Sequence, residues 1–270
     1  MMQEHDPGWP GMANIPGIML ASQYERTGNF ADMEEAISVD RRAVNASPED
    51  HPDRPVWLHN LGNVFGHQYE RTGVMSDLDE AISVTRQAVA AMLDNHIDRV
   101  TCLSNLGINL QSRYERNGAI GDLDDASNYL QMAWNTTMAI PFQRIQTASR
   151  CIKLLALQRK IDTAISLGKD VINILPMINT KLFDRTDQQY VVSTFAGIAA
   201  DIFALLLASD QICEALHFLE KGRAIILGQL IDSRSDVSHL AQEYPKNARR
   251  YEELRDEVNT PSVGLEQDAQ

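Results

Sequence analysis

Apolar residues in this chain fall at helical rather than strand spacing. Between Val56 and Tyr69 the positions Leu58, Leu61, Gly62 and Phe65 line one face at intervals of three and four, and Leu103, Leu106, Gly107 and Leu110 repeat that face further on. The polar positions recur in the same phase. YERTG at Tyr24–Gly28 returns at Tyr69–Gly73 and, as YERNG, at Tyr114–Gly118, so one unit recurs every 45 residues. DMEEAI from Asp32, DLDEAI from Asp77 and DLDDAS from Asp122 keep the period, as does NLG from Asn60 and from Asn105. A period of about 20–50 residues marks a supersecondary unit that cannot bury its apolar face alone and is stabilised by its neighbours.

Each unit reads as two helices. Glycine inside the first helix costs about 1 kcal/mol relative to alanine, so Gly62 and Gly107 mark places where another helix approaches closely. Gly73 and Gly118 stop that helix. Asp77 and Asp122 then stand where a side-chain oxygen can cap the second helix, with Glu80 and Asp125 in its first turn, where an acid is worth about 0.3–1 kcal/mol. The second helix carries Ala81 and Ala88 in one copy and Ala126 and Ala133 in the next. Helix pairs are expected near 14–27/31–46, 55–72/77–93, 99–117/122–138, 142–159/161–175 and 186–208/211–231, with a terminal helix near 243–258.

The pattern L-x-x-L-G-x-x-F followed by paired alanines resembles the tetratricopeptide repeat, lengthened by two helical turns within the hairpin and a short spacer between hairpins. The fourth unit has Cys151, Ile152 and Leu155, then Ala164 and Pro176; a fifth fits Ala199, Ile202, Phe203 and Leu206, then Ala215, Leu219 and Gly222, after an insertion near 177–189. The first unit is degenerate, with Ile15 and Pro16 in the places of Asn60 and Leu61. The resemblance implies an all-α fold, a right-handed α-solenoid of about five hairpins over 14–232, and a C-terminal helical segment at 233–259. The tails 1–13 and 260–270 are expected to be disordered.

From Glu220 the chain reads EKGRAIILGQLIDSRSDVSHL and then YPKNARRYEELRDEV. This stretch resembles the segment that follows the repeats in caspase-like CHAT-domain proteins of the fungal type. The peptidase-like domain of that family, with its His and Cys, would begin beyond it and is expected to be missing, since no cysteine follows His239.

Composition narrows the partners. A net charge of −13 opposes non-specific binding to nucleic acid or anionic membrane, and no run reaches the roughly 18 apolar residues of a membrane span. Without the basic and apolar regions of a signal peptide, the chain is expected to be soluble and cytoplasmic. Cys102, Cys151 and Cys213 lack metal-type spacing and read as buried thiols. Glu214 and His217 form an E-x-x-H without the second copy that a di-metal bundle needs. No catalytic residues, metal or cofactor are therefore expected.

The tetratricopeptide resemblance implies that the first helices line a concave surface. The residue before each L-G pair, namely Asn60, Asn105 and Arg150, faces it, as do Asn63, Ile108 and Lys153 just after the pair. Asparagine can hydrogen-bond a peptide backbone through both its carbonyl and its amide, and Arg150 and Lys153 can pair with carboxylates. The plainer alternative is that these residues keep the face soluble and balance an acidic chain. The expected function is a non-enzymatic scaffold whose concave face, through Asn60, Asn63, Asn105, Arg150 and Lys153, binds a protein or peptide. The alternative is the sensor arm of a caspase-like protease.

Overall fold

The computed structural model describes residues 17–259 apart from 18, 21, 25, 138, 179–184 and 235–237, so the two expected tails lie outside the described residues. After a helical stretch within 17–27 come α1 (Phe30–Ala46), α2 (Arg54–Thr72), α3 (Met75–Ala91), α4 (Arg99–Asn117), α5 (Ile120–Trp134) and α6 (Pro141–Leu157). Then follow α7 (Ile161–Ile174), a 3-10 turn at Leu175–Met177 holding Pro176, α8 (Arg185–Ala208), α9 (Ile212–Arg234), α10 (Ser238–Glu243) and α11 (Pro245–Asn259). No strand occurs among the described residues. The fold is an all-α repeat of helices, divided into two compact units, Met1–Lys160 and Ile161–Gln270.

In the first unit each helix packs on the next in order from α1 to α6, and the first helices α2, α4 and α6 also touch in sequence. The expected small residues are the reason. Ala36, Ala43, Ala81, Ala88, Ala126 and Ala133 are fully buried. A Cβ at Gly107 would stand 2.7 Å from Leu130 Cγ and 3.3 Å from the Ala126 carbonyl oxygen; one at Gly62 would stand 2.2 Å from Thr85 Oγ1. Both glycines are sites of close approach, as their positions inside a helix implied.

The YERTG words build the turns. Gly73 and Gly118 adopt φ of 69° and 71°, the left-handed region closed to most side chains, and donate their N–H to Tyr69 and Tyr114 carbonyls at 2.8 and 2.7 Å. The residue before each glycine takes the next orphan donor: Thr72 Oγ1 accepts from Val74 N–H at 3.2 Å and Asn117 Oδ1 from Ala119 N–H at 2.9 Å. This corrects the expected caps. The second helices start at Met75 and Ile120, so Asp77 and Asp122 are their third residues. Asp122 instead accepts a two-pronged bond from Arg113, at 2.7 and 2.8 Å, which with Asp79 holds that guanidinium above its ordinary pKa. Between turns, Arg116 Nε donates to Tyr69 Oη of the preceding repeat at 3.2 Å.

One further contact keeps the period. Arg54, Arg99 and Arg144 stand 45 residues apart at the start of a first helix. Arg54 donates to the carbonyls of Val44 and Ser47, Arg99 to those of Val89 and Met92 at 3.0 and 2.7 Å, and Arg144 to that of Trp134 at 2.8 Å. A cation is thus placed on the negative end of the preceding helix, where its last carbonyls have no intrahelical partner.

The first hairpin breaks the pattern. Asp40, Thr85 and Leu130 hold the same place in successive units, and Asp40 lies fully buried against Gly17. Neither of its carboxylate oxygens has a hydrogen-bond partner, and burial raises its pKa from 3.8 to about 7.

In the second unit α7 packs on α8, and α8 and α9 form a hairpin in which a Cβ at Gly222 would meet Ala199 Cβ at 2.6 Å. Lys169 pairs with Glu214 at 2.5 Å, and Lys169 and Lys221 both lie over the Phe218 ring, at 5.5 and 5.9 Å. Two expectations are corrected. Cys213 is exposed, whereas Cys102 and Cys151 are buried thiols with pKa pushed up to about 12. The segment Gln189–Ala208 is long and apolar enough to cross a membrane despite Asp201, because its average rather than an unbroken run reaches that level. Its residues Val191, Phe195, Ile198, Ala199, Ile202 and Leu206 recur at helical spacing and are buried in the unit.

Three outcomes are expected from urea unfolding. Gly107→Ala, which forces a Cβ onto Leu130, lowers stability by about 1–3 kcal/mol. Arg99→Met, which strips a charged donor from two carbonyls, lowers it by about 1.5–3 kcal/mol. A carboxyl whose folded pKa is raised binds its proton more tightly folded than unfolded, so stability is full below about 4 and falls as pH rises to about 7. Asp40→Leu removes that slope and raises stability at pH 7.5; an unchanged slope would place its cause elsewhere.

Candidate functional site

The layer of first helices carries all five candidate residues. Asn60 and Asn63 lie on α2, Asn105 on α4, and Arg150 and Lys153 one turn apart on α6. Leu61, Leu106 and Cys151, each immediately after one of these residues, are buried. The three asparagines are half-buried, whereas Arg150 and Lys153 are exposed.

The structure joins two of them directly. Asn105 Nδ2 donates to Asn63 Oδ1 at 2.7 Å, and Asn63 Nδ2 stands 3.2 Å from His59 Nε2. An amide nitrogen can only donate, so His59 accepts through Nε2 and is neutral. Burial lowers the His59 pKa in agreement, opposed by Asp98 and reinforced by His96. The result is a one-way chain of donors from α4 through α2. A second bond leaves α4 in the other direction. Thr147 donates its single hydroxyl proton to the Gln143 carbonyl at 2.9 Å, so Ser104 is the donor in the 2.7 Å bond between Ser104 and Thr147. Arg150 and Lys153 take no part in these bonds.

Two clefts of about 410 Å³ lie elsewhere in the first unit. One is lined by Asp79, Ile82, Arg86 and Arg113, the other by Asp94, Arg99, Leu103 and Met132. Three amides and two cations carried on successive first helices can hydrogen-bond an extended backbone and neutralise an acid.

Some interacting residues were missed in the sequence reading although their period was visible. Besides the arginines at 54, 99 and 144, HPDR from His51 and HIDR from His96 repeat in phase, and each histidine accepts through Nδ1 from the N–H two residues on, at 3.2 and 3.1 Å. Arg41 with Glu80 and Arg86 with Asp125 form ion pairs of identical offset, at 3.9 and 2.9 Å.

No protein-family model matches this sequence, and no curated protein matches it. Solved structures do. A Podospora anserina protein assigned as a kinesin light chain with nearly identical TPR-like repeats is 19% identical, with a TM-score of 0.54 over 84% of this chain and 99% of that one. MamA protein is 15% identical, with a TM-score of 0.51 over 80% and 92%. BtubC (BKLC) from P. vanneervenii is 16% identical, with a TM-score of 0.52 over 76% of each. At such identity the likeness carries the fold alone, and that fold is the tetratricopeptide-like repeat of helical hairpins.

Proposed function

We propose that the chain is a non-enzymatic interaction scaffold whose first-helix surface, the concave side of such a stack, holds a peptide or protein segment bearing carboxylates. The observation that carries this reading is the exposed pair Arg150 and Lys153 on α6, in the same layer as the half-buried Asn60, Asn63 and Asn105. The asparagines offer a carbonyl and an amide each to an extended backbone, and the bond between Asn105 and Asn63 is exchanged for bonds to the ligand. The cations fix the end that bears the acid. Tetratricopeptide-like neighbours and a net charge of −13 favour protein over nucleic acid or an anionic membrane as partner.

A second reading, the regulatory arm of a CHAT-domain caspase-like protease, draws support from the stretch beginning EKGR at Glu220, which continues within α9 to Arg234. An in-frame transcript carrying a His and Cys α/β domain after Gln270 would favour it.

The test of the first reading titrates acidic peptides selected on the wild-type protein against Arg150→Ala/Lys153→Ala. Two surface pairs of about 0.2–1 kcal/mol each predict an affinity loss of about 2- to 30-fold, with helicity and melting unchanged and wild-type binding weakened by salt. Equal affinities for the two forms would remove the groove.

A further inference from the structure

Helix α9 turns one face inward and leaves another bare. Ala215, Phe218 and Gly222 are buried on the inner side, with Gly222 against Ala199 of α8. On the outer side Leu216, Glu220, Arg223 and Leu227 are separated by four, three and four residues, the spacing that keeps one stripe of a helix in line. All four are exposed: Leu216 at 52%, Leu227 at 55%, and the Glu220 and Arg223 side chains at 68% and 64%. Within the helix Arg223 reaches Glu220 at only 3.3 Å in an exposed i,i+3 pair, an interaction worth little in water.

The order of this stripe, Leu, Glu, Arg, Leu, is symmetric about the midpoint between Lys221 and Gly222. Leucines lie at both ends, and opposite charges lie at equal distances from the centre. When a second α9 lies antiparallel across it about a two-fold axis through that midpoint, Leu216 of each copy meets Leu227 of the other. Glu220 of each copy likewise meets Arg223 of the other. No other feature of the stripe is needed to satisfy both copies, because a two-fold contact uses the same patch twice. The leucines lie about 16 Å apart along the helix, at about 1.5 Å per residue, so the paired patch is small.

We infer that this outer stripe of α9 is a self-association surface whose occupant is the same stripe of a second copy, packed antiparallel. The charges set direction: a parallel pair sharing the same face would set Glu220 beside Glu220 and Arg223 beside Arg223. The patch falls short of the roughly 1,000 Å² of a tight interface, so the dimer is weak and forms with rising concentration. This surface lies in the second unit and is independent of the proposed peptide face.

Sedimentation equilibrium on the full chain tests it. The wild type passes from monomer to dimer mass with concentration, and Leu216→Glu/Leu227→Glu stays monomeric with unchanged helicity. The decisive forms are charge swaps. Glu220→Arg alone and Arg223→Glu alone each present like charges to their own copy and lose the dimer. Mixed together, the two singles regain it, since every crossed pair is then opposite in sign; the double swap Glu220→Arg/Arg223→Glu also regains it. A wild type that remains monomeric up to about 0.5 mM, a concentration at which even a dimer with a Kd of about 1 mM is partly populated, overturns the inference. So does a dimer that persists in both single swaps, or a mixture that fails to associate, because either outcome assigns the stripe to a different occupant.

Discussion

In the first unit, one arginine per repeat holds a hairpin to the one before it. A helix ends with carbonyls that have no partner inside the helix, and in a stack those ends are crowded by the next repeat, where water cannot freely serve them. Arg54, Arg99 and Arg144 solve this from the first turn of the following helix, each reaching ten residues back along the chain. The bond fixes where a new hairpin starts relative to the last, and with it the register in which Asn105 meets Asn63 and Ser104 meets Thr147.

The sequence made the helices legible because their cause is local. Apolar spacing, a stop glycine and a run of alanines each act within a few residues, and the expected ends agree with α2, α4, α6 and α8 to within about two residues. The second helices α3 and α5 start two residues before the expected aspartates, because Thr72 and Asn117 already satisfy the turn and leave Asp77 and Asp122 in the first turn. Cys213 was misread for a different reason. Apolar neighbours along a helix do not say which side of it is covered, and among the described side chains of α9 the Cys213 side is exposed.

The candidate face was legible as positions but not as contacts. Asn63 and Asn105 were singled out from two words in phase, yet the two residues do not occupy equivalent places: Asn105 meets a residue 42 earlier, Ser104 one 43 later, and Arg86 one 39 later. Neighbouring helices are displaced along their axes, so partners sit two, three or six residues off the 45-residue period. A reading that compares equivalent positions cannot see this. The repeated arginine and the H-x-D-R words were within its reach, since they keep the period, and were passed over because they lie outside the apolar stretches.

The constancy of these offsets bears on how such a chain changes length. Arg41 with Glu80 and Arg86 with Asp125 are the same bond written twice, as are the arginine bonds to Val44 and Val89. Excising or duplicating one 45-residue segment between Phe30 and Trp134 rejoins donors to acceptors at the distances they already have, provided that the segment is whole. Recombination in that register adds or removes an entire floor of the stack without creating a new kind of junction, whereas a deletion of any other length misaligns every bond that crosses it.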